Sequence, residues 1–314
     1  MSSDWNGYFR GLHDTWWQWA ARNHPAELDG VSRASRPPVF AKGFEELNVI
    51  VPEDRELAEH IRRLIPRSQR HRGYASMRSS QALAQSVFGA IAAGENLNGI
   101  IADCGRSAFR NSEFTMDMEH EAHWLGEPRP TSIDVFLRSS NYRVAVECKF
   151  TEREFGLCSR PNLTPNDASY EEQFCDGSYS RQRKRIARCS LTEIGASYWE
   201  ALPNLFQWDA QKDLVVCPFA KTYQLARNVL AACTYNDGIA RPDTGHVLVV
   251  YDARNPEFHN GGGALAQFDE ATGASLVPGL FRKLSWQNLI AQLTDFDWLD
   301  DALRQRHGII AEKL

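Results

Sequence analysis

Apolar and polar positions in this chain follow two periods, one of a strand and one of a helix. Between residues 132 and 150, apolar runs flank the polar triplet Ser139, Ser140 and Asn141, which predicts two short strands joined by a turn. Val144, Ala145 and Val146 form a continuous apolar run of the buried-strand type. The run from Gly245 to Tyr251 reads as another core strand, and residues 213–217 as a short apolar one. Helical spacing predicts helices over residues 4–22, 53–65, about 80–93, 168–188 and about 219–233, with a helical region over 285–306. Residues 192–202 carry Tyr198 and Trp199 as core side chains. Residues 32–40, with Pro37-Pro38, read as a linker, and residues 66–78 as a basic loop. Residues 113–124 are ambiguous; as a strand they would line Asp117, Glu119 and Glu121 along one face.

The period of two has a chemical consequence. Glu147 and Lys149 point the same way from their strand, while Val146 and Cys148 point the other. The hairpin can bring Asp134 beside them on an open polar face. Two carboxylates and an ammonium at a strand end can hold a hard divalent cation, which takes oxygen ligands and keeps several waters. Such a cation lowers the pKa of a bound water and offsets charge developing on a phosphodiester. Lysine can orient or deprotonate that water, or neutralise the phosphate. The bland alternative is the charged outer face of an ordinary hairpin.

Composition narrows the setting. The chain has 314 residues, 43% hydrophobic and 24% charged, which suits one large or two small globular domains. No run of apolar residues is long enough for a membrane span, so no membrane partner is expected. The start, Met1-Ser-Ser-Asp-Trp-Asn, lacks a secretory pattern, and seven cysteines argue against a disulfide framework; a cytoplasmic setting is expected. The net charge of −5 argues against a non-specific nucleic-acid coat, yet leaves room for local phosphate contacts. Two basic clusters could make them: Arg62, Arg63, Arg67, Arg70, Arg72 and Arg78 with His60 and His71, and the run 181–188. Each could equally be a solvated face.

Ile133-Asp134, twelve intervening residues and Glu147-Cys148-Lys149 resemble the PD-(D/E)xK nuclease superfamily, although no proline immediately precedes Asp134. More narrowly, Ser79–Leu83, Glu147–Glu152, Cys189–Glu193 with Tyr198-Trp199, and Cys217-Pro218 followed by Tyr223–Asn228 resemble a bacterial family of restriction-endonuclease-like proteins. The resemblance implies an α/β fold: a mixed central sheet flanked by helices, with helical additions at both ends. Residues 1–74 are read as a helical extension and residues 75–314 as the nuclease-like domain, joined in one compact unit. It implies Mg²⁺ or Mn²⁺ at Asp134 and Glu147, with the Cys148 carbonyl assisting, Glu119 as a further ligand, and Lys149 acting on the water or phosphate. DNA is the implied substrate, in restriction, defence or repair, and a homodimer would suit cutting of both strands. Gln224 and Arg227, three apart on one helix face, are candidate contacts to the DNA backbone, with Glu152 and Gln85 in support.

Other readings stay open. Cys158, Cys175, Cys189 and Cys217 could bind an iron–sulfur cluster or zinc, but they contain no C-x-x-C and cysteine also packs as a small hydrophobe. His120 and His123 form H-E-x-H rather than a metalloprotease helix motif. The rival functions are a non-catalytic nucleic-acid or protein-binding module on the same fold, and a cysteine-metal structural or redox protein.

Overall fold

A computed structural model describes residues 4–30, 36–94, 97, 99–110, 114–128, 130, 132–182, 185–259 and 261–311. Its strands are β1 (Thr115–Glu121), β2 (Ser132–Arg138), β3 (Arg143–Cys148), β4 (Gly245–Tyr251) and β5 (Phe281–Ser285). They form one mixed sheet in the order β1-β2-β3-β4-β5. The first three are antiparallel neighbours, and β3, β4 and β5 run parallel. The fold is α/β, of the restriction-endonuclease-like kind. Parallel strands are covered on both faces, which explains the apolar runs of β3 and β4; every residue of β4 is buried.

The helices are α1 (Trp5–Asn23), α2 (Arg55–Arg63), α3 (Ser80–Gly94), α4 (Tyr170–Gln173), α5 (Ser190–Glu193), α6 (Tyr198–Ala201), α7 (Pro218–Lys221), α8 (Tyr223–Cys233), α9 (Gly263–Ala274), α10 (Trp286–Ala291) and α11 (Asp297–His307). One core joins α3, α1, α10 and α11 to Val135, Val144, Val146, Leu248 and Val250 of the sheet. The other joins α8 and α9 to Ala145, Val247, Val249 and Phe281. α3 is buried from Gln81 to Ile91 and α8 from Leu225 to Cys233, so each is a central helix with little solvent face. α8 lies so close to the sheet that a Cβ on Gly245 would stand 2.6 Å from the Ala232 carbonyl oxygen. At the other core, Trp16 is fully buried and donates to His307 Nδ1 at 2.9 Å, and Tyr8 donates to the Phe150 carbonyl at 2.9 Å.

Several sequence expectations need correction. Of the expected linker, residues 32–35 lie outside the described residues. Phe40 is buried and pairs with Leu28, and Val39 pairs with Ser76, so this part is packed structure. The helix expected over 168–188 shrinks to α4: Gly177 takes φ +89°, and Asp176 turns the chain by accepting from Ser178 N at 2.8 Å. Residues 213–217 are not a strand; Leu214 makes only an isolated bridge with Tyr179, and Val215 is 93% exposed. The helix expected over 219–233 divides into α7 and α8. β5 was not anticipated. Among the described residues no helix is long and apolar enough to cross a membrane.

Candidate functional site

β3 ends on Glu147 and Cys148, and the chain continues into Lys149, whose amide still donates to the Val250 carbonyl at 2.7 Å. The Lys149 carbonyl accepts from Trp286 Nε1 at 3.1 Å, so its backbone is held on both sides. Strand alternation then sets Lys149 Nζ against Glu147 Oε1 at 3.0 Å. This is not an open polar face: Glu147 is 3% exposed and Lys149 7%. The first turns of α8 cover it.

α8 supplies the partners that make such burial tolerable. Gln224 Nε2 donates to Glu147 Oε1 at 2.7 Å, and Asn228 Nδ2 donates to Oε2 at 2.7 Å. Gln224 Oε1 accepts from Lys149 Nζ at 3.0 Å and from Gly156 N at 2.7 Å. One glutamine thus clasps both members of the ion pair. Lys149 Nζ also lies 5.3 Å from the centre of the Phe155 ring. Burial disfavours the Lys149 charge, but Glu147, then Glu152 and Asp134, outweigh it, and its pKa is raised.

Register lines up three carboxylates across three strands. Val135 pairs with Val146, so Asp134 stands level with Glu147; Met118 and His120 pair with Val135 and Ile133, so Glu119 stands level with Asp134. Asp134 is half-buried, and its Oδ2 accepts the Cys148 amide at 2.7 Å just where the β2–β3 ladder ends. Burial raises its pKa well above the carboxylate range, and the charges of Glu147 and Glu119 raise it further. Burial likewise raises Glu119, against hydrogen bonds from Ser132 and Gln81. Three carboxylates therefore face a single buried ammonium, an acidic excess that a divalent cation would offset.

Glu119 occupies the left-handed region at φ +51°, a strained conformation for this residue. The kink resets the alternation of β1. Asp117 and His120, on opposite faces of a regular strand, make a contact of 3.4 Å, and His120 stacks on Phe136 at 4.5 Å. The three acids expected on one face therefore separate: Glu119 is buried against Gln81 of α3, Asp117 pairs with Arg138 as well as His120, and Glu121 pairs with His123. Both histidines are engaged locally.

The supporting residues scatter. Glu152 accepts from Ser80 Oγ at 2.8 Å and from Phe150 N at 2.6 Å, tying the start of α3 to the turn after β3. Gln85 does not join the site; it donates to Ile61 O at 2.8 Å and accepts from Tyr74 at 2.7 Å, fixing the end of α2. Gln81, one turn earlier on α3, reaches Glu119 instead. Arg227 is 3% exposed and lies against Tyr223, Ser132 O and Asn228 Oδ1, so it does not present an outward phosphate contact. Asn228 was missed, although it follows Gln224 by four residues and so shares its helix face. Of the basic clusters, Arg63 pairs with Glu59 and Arg70 with Glu46, whereas exposed Arg78 donates to Thr151 Oγ1 at 2.8 Å beside the site. Arg183 and Lys184 lie outside the described residues.

The Cys148 thiol is buried in the core, as its alternation requires. Oxygen donors at residues 119, 134 and 147 suit a hard cation in kind. Their arrangement is not a finished shell: among the described residues no three His, Cys, Asp or Glu side chains stand ready to hold a metal ion. Glu147 would have to release at least one of its three donors. A cavity of about 950 Å³ opens elsewhere, between Ile91, Leu97, Phe114 and the turn end of β2 at Leu137 to Ser140, and none of the carboxylates lines it.

A family model described as Restriction Endonuclease associating with ARP matches residues 12–308. No curated protein and no solved structure matches the chain.

Proposed function

The chain belongs to the family of restriction endonucleases associating with ARP, and from that membership we propose a metal-dependent nuclease of the PD-(D/E)xK type that hydrolyses DNA phosphodiester bonds. The observation that carries the reading is the row of Glu119, Asp134 and Glu147 across adjacent strands, opposed by one buried ammonium. Asp134 and Glu147 would hold Mg²⁺ or Mn²⁺, with the Cys148 carbonyl and Glu119 assisting. When bound, such a cation supplies a polarised water and a counter-charge for the phosphate.

The chain's own residues have distinct parts. The raised pKa of Lys149 keeps it an ammonium at neutral pH, which favours charge neutralisation at the phosphate over removal of a proton from water. Gln224 and Asn228 aim the Glu147 carboxylate, and Gln224 keeps Lys149 beside it. Burial and mutual repulsion raise the pKa values of Asp134 and Glu119, so a cation held beside them would favour their charged forms. Gln81 and Gln224 lie in the first turns of α3 and α8, whose N-terminal dipoles favour an anion nearby. Water adds to phosphorus, and one P–O bond to deoxyribose breaks with its oxygen taking a proton.

The test is nicking of supercoiled plasmid and of single-stranded DNA with Mg²⁺, with Mn²⁺ and with chelator. Cleavage with metal, lost in Glu147→Gln, is expected. Binding of DNA without any metal-dependent cleavage would instead favour a non-catalytic module, and cleavage of RNA alone would change the substrate.

A further inference from the structure

The crossover from β3 to α7 covers residues 149–217, and among its described residues no α-helix is longer than four residues. Leu157, Ile186, Val215 and Val216 are 49%, 84%, 93% and 54% exposed along it. Phe155, Tyr179, Leu191, Tyr198, Trp199 and Phe206 anchor the segment in the second core, but the turns between these anchors have little regular structure of their own. Four cysteines sit at four of those turns.

Backbone bonds sew three of the turns into a ring. Cys175 N donates to Arg160 O at 3.4 Å, Cys217 N to Gly177 O at 2.8 Å, and Cys158 N to Ala220 O at 3.0 Å. Each cysteine segment thus bonds to the residue two or three past another cysteine. Cys189 closes the group: it lies within electrostatic reach of Cys158, Cys175 and Cys217.

Each sulfur is also wrapped by its own turn. Gly177 N donates to Cys175 Sγ at 3.4 Å. The amides of Arg160, of Leu191 and Thr192, and of Ala220 lie close to the thiols of Cys158, Cys189 and Cys217 respectively. A neutral thiol is a weak acceptor and gains little from this, whereas a metal-bound thiolate is stabilised by such amides. The charges agree. Arg160 and Arg185 stand near Cys158 and Cys189, and the buried Nη1 of Arg185 has no acceptor.

We propose that Cys158, Cys175, Cys189 and Cys217 form a tetrathiolate site for a structural zinc ion that staples the crossover. As they stand, the thiols are not a finished ligand set, so they turn inward as the ion enters. Four Zn–S bonds form, four protons leave to solvent, and the doubly negative centre is offset by the two guanidinium groups. The site stands whether or not the carboxylates cleave DNA.

The test is metal analysis of the full chain purified from zinc-supplemented medium. About one zinc per chain and no visible colour are expected. Cobalt(II) exchange should give thiolate-to-cobalt charge-transfer bands and the visible bands of a tetrahedral ion. Cys175→Ser and Cys217→Ser should lose most of the zinc, while Cys104→Ser, an exposed cysteine outside the group, keeps it. If the serine variants do not fold, mercurial titration of the wild type with a zinc indicator gives the same answer, zinc leaving as about four thiols are blocked. Zinc far below stoichiometry with no cobalt–thiolate spectrum overturns the site. Stoichiometric iron and sulfide in a brown protein overturn zinc as its occupant.

Discussion

Asn228→Ala isolates the innermost support of the Glu147 carboxylate. Asn228 is fully buried, and its Nδ2 is the donor to Glu147 Oε2 at 2.7 Å. The substitution leaves Lys149 and Gln224 on the other oxygen, so Oε2 becomes a buried anionic oxygen stripped of its donor. A hydrogen bond to a charged group contributes about 1.5–3 kcal/mol. For a chain of 314 residues, melting should fall by roughly 1.5 °C for each kcal/mol. Glu147 is also freed to swing, and loss of a group that orients a metal ligand typically weakens metal affinity roughly 10–100-fold. Thermal unfolding in chelator and Mg²⁺ titration of plasmid cleavage read the two effects separately. Asn228→Asp, which sets a second carboxylate against Glu147, should be the worse of the two. An Asn228→Ala protein with unchanged melting and unchanged Mg²⁺ dependence refutes the role given to this side chain.

The remaining predictions concern the same region. Lys149→Met should abolish cleavage and also destabilise the fold, because Glu147 keeps its burial and loses its ammonium; a broken buried pair costs roughly 3–5 kcal/mol. Denaturant melts and nicking assays should move together, and an inactive variant of full stability would contradict the geometry. Asp134 and Glu119 have raised pKa values, so their contribution to stability is fully present below the ordinary carboxylate range and is lost as pH rises through the raised values. In chelator, melting temperature should therefore fall as pH rises from the ordinary carboxylate range through the raised values of these groups, less steeply in Asp134→Asn, while the gain from added Mg²⁺ grows with pH in the wild type only. Equal pH slopes in wild type and variant would count against the carboxylate row. Gly245→Ala forces a Cβ toward the Ala232 carbonyl and should cost about 1–3 kcal/mol, with activity falling because α8 carries Gln224 and Asn228; a neutral outcome in both assays would show that α8 yields freely.

What could be read from the sequence was whatever followed from a local period. The shared face of Glu147 and Lys149 came from strand alternation alone, and the hairpin that levels Asp134 with Glu147 came from the turn triplet 139–141. What could not be read was what covers them. Gln224 and Asn228 arrive from a helix about seventy-five residues later, and only that packing turns a polar strand face into a buried one. Glu119 was reachable as a position but not as a conformation, since a left-handed residue in a strand has no local signature when it is not glycine or asparagine. Gln81 and Gln85 look alike on one flank of a helix, yet one turn of rise separates the carboxylate row from the end of α2. The crossover misled most, because its spacing suggests a helix and a strand that its left-handed glycine and solvent-facing valines do not allow.

The main-chain proton of residue 148 is secured by a side chain, not by a neighbouring strand. A carboxylate that swings toward an incoming ion abandons that proton to solvent. Deuterium uptake at this single position would then quicken when the ion is added, a built-in gauge of occupancy that needs neither substrate nor label. Uptake that slows or stays constant would show that the carboxylate serves both masters at once, with one oxygen on the backbone and the other on the ion.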